Sequence, residues 1–149
     1  MEPISTLISP IEQAGLWKQG RSSIDAELKS LWLDNNKARY LGDTLRKGIV
    51  LATNQVTDDL PGFSWHQWGE AVSVVWVDRY NKLNLSPDYL EHQLDGQRFN
   101  GYKVFIEECV KVGLVPGPLF NTVQLRSGKV TDHYTPEEMS REMQKRFVR

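Results

Sequence analysis

One stretch, residues 63–78, constrains the fold more than any other part of the chain. It starts as the polar, glycine-punctuated turn Phe63-Ser-Trp-His-Gln-Trp-Gly69 and continues as the run Ala71-Val-Ser-Val-Val-Trp-Val77. Valine and tryptophan favour strands, and successive side chains of a strand point to opposite faces. The stretch therefore predicts a buried strand over residues 71–77, with His66 in the turn at its entrance.

Capping residues predict helices on both sides of this strand. Ser9-Pro-Ile-Glu12 and Thr135-Pro-Glu-Glu138 are capping boxes with proline at the first helical position, and Ser22 or Ser23 is a further cap. Gly20, Gly48 and Gly113 are the expected stops. The predicted helices are Glu12–Gln19, Ile24–Leu33, Lys37–Lys47, a short one from Ser86, Tyr102–Val112, and one from Thr135 to about Phe147.

Spacing within two of these helices predicts which side chains are buried. In the second helix the apolar side consists of Leu28, Leu31 and Trp32. In the helix over Tyr102–Val112 the side chains spaced for burial are Val104, Phe105, Cys109 and Val112.

Three further segments are predicted to be strands. Ile49-Val-Leu-Ala-Thr53 is short and rich in β-branched residues. Phe120–Arg126 and Lys129–Tyr134 flank Ser127-Gly128, which predicts a hairpin. Helices first, a small antiparallel sheet flanked by helices, and a terminal helix predict an α+β fold forming one domain over residues 1–149.

Composition excludes several classes of protein. A formal net charge of -1 without blocks of like charge argues against a nucleic-acid partner. One cysteine, Cys109, excludes an internal disulfide. The chain has no apolar run long enough for a membrane span, and its first residues lack the pattern of a signal peptide. We therefore expect synthesis in the cytoplasm, and association with a phage or a secretion system would fit.

Three pieces of the sequence together resemble a known family. The first is Ser9–Arg21. The second is Thr53-Asn54 followed by Leu60-Pro-Gly-Phe-Ser-Trp-His-Gln-Trp-Gly-Glu-Ala71. The third is the helix ending at Gly113 with Asp132-His-Tyr134 downstream. Their order and spacing are similar to the D-alanyl-D-alanine carboxypeptidase family of zinc peptidases, which includes phage endolysins and cuts peptidoglycan stem peptides. The resemblance covers about residues 4 to 140. It implies a Hedgehog/DD-peptidase fold.

The resemblance also implies where the chemistry should lie. Such enzymes hold zinc with three protein ligands, and a carboxylate takes the proton of the metal-bound water. His66 and His133 stand where the two histidine ligands are expected. The position of the third ligand, an aspartate, is Ser73, and the position of the general base is Val130. The arginine that grips the substrate in the family corresponds to Ile8. The resemblance therefore predicts a pseudoenzyme without catalytic residues, with no zinc or weakly bound zinc.

A binding role is the hypothesis that this leaves. Ser64 belongs to the motif, and Arg21 is retained from the family pattern, either for the wall of a cleft or for a salt bridge at a helix end. Trp65 and Trp68 flank His66, and the alternatives for this aromatic pair are partial exposure beside a cleft and structural packing. We expect these four residues to line a cleft for a peptidoglycan stem peptide or a protein partner.

Two alternatives stay open. One is an active zinc carboxypeptidase or endolysin-type peptidase whose third ligand is Glu70, Asp78 or Asp132. The other is a structural or interaction protein of a phage particle or secretion system, in which the fold serves only as a scaffold.

Overall fold

A computed structural model describes residues 1–92 and 96–148. The chain divides into two compact units, each built from two segments. The sheet unit comprises Met1–Leu7 and Gly69–Ser127, and the helical unit comprises Ile8–Trp68 and Gly128–Arg149.

The described helices are α1 Pro10–Lys18, α2 Ser23–Asn35, α3 Arg39–Lys47, α4 Gly101–Lys111 and α5 Pro136–Phe147. Short 3₁₀ turns cover Trp65–Trp68 and Val130–Asp132. The predicted capping boxes are confirmed at Ser9 and Thr135, and of the two predicted candidates Ser22 is the cap of α2. In each case the side chain accepts the backbone N–H three residues on. Local capping chemistry therefore fixes the starts of α1, α2 and α5.

The helical unit has an apolar interior contributed by all four of its helices. The fully buried side chains among them are Ala14, Leu33, Leu41, Leu45, Met139 and Met143. The prediction for the buried face of α2 is wrong, because Leu28, Leu31 and Trp32 are exposed and Ala26, Ser30 and Leu33 are buried. Small residues explain the orientation: a Cβ at Gly42 of α3 would lie 3.0 Å from the Ser30 carbonyl oxygen. The two helices approach too closely for large side chains between them.

The predicted strand over Ile49–Thr53 is also wrong. The segment is irregular, and Ile49 and Leu51 are 73% and 85% exposed. It lies against α1, where a Cβ on Gly15 would be 2.5 Å from the Ile49 carbonyl oxygen. β-branched residues favour a strand only when a neighbouring strand completes the ladder, and a helix cannot do so.

The sheet unit is built around the predicted central strand. Its strands are β1 Glu2–Ser5, β2 Ala71–Val77, β3 Leu83–Asn84, β4 Glu91–His92, β5 Arg98–Phe99, β6 Val115–Pro116 and β7 Thr122–Gln124. The main sheet has the order β1-β2-β7-β6, with β3 also pairing with β2, and β4 pairs separately with β5. All pairs are antiparallel, so the α+β class with a small antiparallel sheet is confirmed.

Three local predictions in this part of the chain are wrong. Ser86 starts a turn that leads to β4, not a helix. In α4 only Gly101 and Tyr102 are buried, while Val104 and Val112 are exposed. Ser127-Gly128 is not a hairpin turn: Asp132 accepts the backbone N–H of Lys129 at 2.7 Å, and this cap closes a 3₁₀ turn where a second strand was expected.

The described helices include none that is both long and apolar enough to cross a membrane.

Candidate functional site

The turn that carries His66 is organised by Gln67. This side chain is fully buried, and its Oε1 atom accepts the backbone N–H groups of Gly62 at 2.6 Å and Ser64 at 3.4 Å. The indole N–H of Trp68 donates to the Gly62 carbonyl at 3.0 Å. Gln67 Oε1 and the Trp68 indole therefore tie the backbone before His66 to the residues after it, while the buried Gln67 Nε2 has no hydrogen-bond partner among the described residues.

Of the two alternatives for Trp65 and Trp68, structural packing is the one that the structure shows. Each side chain is only 5% exposed. The Trp65 indole N–H donates to the Gly128 carbonyl at 2.9 Å, and its ring lies edge-on to His133 with centroids 5.3 Å apart. The Trp68 ring stacks on Tyr134 at 4.3 Å. Both tryptophans therefore pack the His66 turn against the segment that carries His133 and leave no open aromatic platform.

A polar surface lies beside His66, and Asp59 is its central member. The Asp59 backbone is held by two hydrogen bonds, from Gln13 Nε2 to its carbonyl at 2.6 Å and from its N–H to Thr57 Oγ1 at 3.1 Å. The Ser64 side chain and the charges of Lys129 and His66 act on the Asp59 carboxylate.

The pKa of the Asp59 carboxyl is raised above its ordinary value. The largest cause is desolvation by surrounding protein atoms, although the residue as a whole is exposed; Lys129, His66 and Ser64 act in the opposite direction. The carboxylate therefore lies in a partly desolvated position where a bound cation or hydrogen-bond donor would be favourable.

Ser73 and Val130, the positions expected for the third ligand and the general base, each have a structural environment. Ser73 lies in β2 of the sheet unit, where its hydroxyl is 2.7 Å from the hydroxyl of Thr122. Val130, at the general-base position, is completely buried. Across residues 1–92 and 96–148, no group of three or more His, Cys, Asp or Glu side chains could hold a metal ion. A three-ligand zinc site is therefore not formed by the side chains that the structure describes.

The three alternative third ligands are engaged elsewhere. Glu70 pairs with Arg126 at 2.6 Å. Asp78 accepts the backbone N–H groups of Tyr80 and Lys82 in a tight turn. Asp132 caps the 3₁₀ turn at Lys129. Each carboxylate already has a local structural role.

Arg21 also makes contacts that stabilise the structure around it. Its guanidinium lies over the Trp17 ring at 4.3 Å, donates to the Trp17 carbonyl and pairs with Asp58 at 2.6 Å. These contacts join the end of α1 to the loop that leads to Asp59.

Sequence reasoning missed Asp59, Lys129 and Tyr134. The neighbouring acids Asp58 and Asp59 come just before Leu60-Pro-Gly62, and this pair was the available signal for a carboxylate near the histidine turn. Lys129 and Tyr134 were hidden by the predicted hairpin, which assigned their segment to the wrong kind of structure.

Comparisons with protein-family models, with curated proteins and with solved structures found no match.

Proposed function

We propose that this chain is a peptidase-like pseudoenzyme that binds a short peptide beside His66 without cleaving it. The ligand that we favour is a peptidoglycan stem peptide. The observation that carries the proposal is the site's donor set: two histidines without a third metal ligand in the described chain, and a fully buried valine at the general-base position. Hydrolysis by metal-bound water requires a third metal ligand and a general base that takes the proton of the water, and valine cannot act as a base.

The charges around His66 support a peptide as the ligand. Asp59 and Lys129 are exposed residues of opposite charge that interact with each other, and His66 is half-buried beside Asp59. A stem peptide carries carboxylate and ammonium groups, which suit Lys129 and Asp59 respectively. Hydrogen bonds to charged groups contribute about 1.5–3 kcal/mol each, which is enough to orient a short ligand.

The family and its Hedgehog/DD-peptidase fold are part of this proposal. They rest on the motif residues Ser64, His66, Gly69 and Ala71, with His133 downstream. Gly69 has a φ of 70°, a conformation that glycine adopts without strain. The local backbone conformation therefore explains why a glycine occupies this position of the motif.

Calorimetric titration with a synthetic stem pentapeptide tests the binding. We expect saturable binding by the wild type and roughly tenfold weaker binding by Asp59→Asn and by Lys129→Met, because each loses one charge-assisted contact. Asp88→Asn and Lys103→Met, which change exposed residues of the sheet unit, serve as matched controls and should bind like the wild type. No binding, or equal losses in the controls, would overturn the proposal.

Incubating the same peptide with the protein and added zinc tests the lack of cleavage. We expect intact peptide by mass spectrometry and no stoichiometric zinc by calorimetry. Release of the terminal residue that stops in His66→Ala would show an active peptidase instead.

A further inference from the structure

The outward face of α2 is an apolar stripe, defined here as Ile24, Leu28, Leu31 and Trp32. These side chains are 70%, 60%, 46% and 41% exposed. Their spacing of three and four residues places them on one side of the helix. A contiguous apolar face on a helix usually marks a contact with another molecule, whereas single exposed apolar residues carry no such meaning.

A groove of about 470 Å³ runs beside the stripe between α1 and α2. It is lined by Trp17, Arg21, Asp25, Leu28, Lys29 and Trp32. Leu28 and Trp32 belong to both features, so the stripe continues into a concave surface that could receive side chains.

The two flanks of the stripe differ in charge. On one flank, Glu27 and Asp34 are neutralised by Arg46, at 3.2 Å and 2.7 Å. The other flank carries Asp25 and Lys29, one turn apart. The Lys29 ammonium lies 5.5 Å from the Trp32 ring centroid. The Asp25 carboxylate accepts hydrogen bonds from Ser22 through Oδ2, and both Asp25 and Lys29 are exposed. This second flank therefore presents one acid and one base to a partner.

We propose that the stripe is a dimerisation surface and that it is covered by α2 of a second copy of this chain, packed antiparallel about a two-fold axis. In that arrangement the flank with Asp25 and Lys29 faces the same flank of the partner subunit, and the two helices run in opposite directions. Lys29 then lies beside Asp25 of the partner subunit, and Asp25 lies beside Lys29 of the partner subunit. A two-fold interface has to be self-complementary, and an acid and a base one turn apart on the same flank meet that condition.

The size of the apolar stripe sets the expected affinity of the dimer. Four side chains and a shallow groove give an interface near the lower end of specific contacts, roughly 1,000 Å² in total. We therefore expect a dissociation constant in the micromolar range.

Sedimentation equilibrium over a concentration series from micromolar to millimolar tests this proposal. We expect a monomer–dimer equilibrium, and we expect Leu28→Asp and Lys29→Glu each to weaken it about tenfold or more, because an apolar contact is lost or a like charge faces Asp25. Val112→Asp, at an exposed valine that ends α4, is the matched control and should dimerise normally. A monomer throughout the series, or a dimer that both α2 variants leave unchanged, would overturn the proposal.

A charge exchange tests the antiparallel register. Lys29→Glu alone and Asp25→Lys alone should each dimerise poorly, and an equimolar mixture should form a heterodimer because every pair is then of opposite sign. Asp25 also caps α2, so the far-UV circular dichroism of Asp25→Lys has to match the wild type first. A folded pair that does not associate in the mixture would contradict this register.

Discussion

The interiors of the two units are built from different chemistry. The helical unit buries large aliphatic side chains, among them Leu41, Leu45 and Met143. In the sheet unit, apolar Val75 and Val123 share the interior with polar side chains. The buried polar residues of that unit are Ser73, Asn121, Thr122 and Gln124. The helical unit buries polar side chains too, among them Ser30 and Gln67, but its buried apolar side chains outnumber them. The comparison teaches that satisfied hydrogen bonds account for a larger share of the interior in the sheet unit than in the helical unit.

Asn121 is a buried polar residue of the sheet unit whose hydrogen bonds are made within the sheet. It bonds to Val74 of β2 from both backbone and side chain: its carbonyl accepts the Val74 N–H at 2.9 Å, and its Nδ2 donates to the Val74 carbonyl at 2.8 Å. Such a residue fixes the end of a short strand where few side chains are available to pack.

The largest expected effect concerns the helical interior. Leu45→Ala should lower the free energy of unfolding by about 2–5 kcal/mol, since it removes a fully buried side chain and leaves a cavity. Leu51→Ala makes the same chemical change at an 85% exposed position and should be nearly silent. Urea denaturation followed by circular dichroism measures both. Equal losses would break the contrast between buried and exposed leucines.

The next effect concerns the polar interior of the sheet unit. Ser73→Ala should cost about 1–3 kcal/mol, because it leaves the buried hydroxyl of Thr122 without its partner. The double variant Ser73→Ala/Thr122→Val should recover part of this loss, since both polar groups are then gone. Hydrogen exchange of the amides in β2 and β7 reports on the sheet unit separately. Additive losses would indicate that the two hydroxyls act independently.

The smallest effect is a pH dependence in the helical unit. Hydrogen bonds from the Thr135 backbone and hydroxyl hold the pKa of Glu138 below its ordinary value of 4.5. The stabilisation from its charged form is therefore complete above pH 4.5 and is lost as the pH falls through the lowered pKa. Asp59 has the opposite sign: its raised pKa favours the protonated carboxyl in the folded state, so its contribution is lost as the pH rises.

Glu138→Gln tests this pH dependence. The stability difference between wild type and variant should shrink as the pH falls below 4.5, as measured by urea denaturation at several pH values. Thr135→Ala, which removes the cap itself, should cost about 1 kcal/mol at neutral pH. A difference between wild type and Glu138→Gln that is constant with pH would contradict the assignment.

The features that the sequence predicts correctly are those with local causes. The caps at Ser9, Ser22 and Thr135 act over three residues, so the starts of their helices can be predicted without knowledge of the fold. The valine-rich strand β2 can be predicted from its composition in the same way. Which face of α2 is buried depends on Gly42 in another helix, and spacing within α2 contains no such information.

The candidate site divides in the same way. His66 could be singled out because its turn has a motif, but the approach of Asp59 depends on contacts with Gln13 of α1, forty-six residues away. The choice between exposed and packed Trp65 and Trp68 depends on the segment from Gly128 to Tyr134 that covers the turn, and the sequence of the turn alone does not contain that information.

The discontinuity of both units has a consequence for the order of folding. During synthesis β1 emerges long before β2, so Glu2 has to wait for Val75, its partner in the sheet. The helical unit likewise lacks α5 until the sheet unit has been made. Contacts between such distant segments slow folding, because the intervening chain has to be ordered or looped out first. Neither unit can therefore be produced by cutting the chain once, and removing the first seven residues would take away a strand of the sheet.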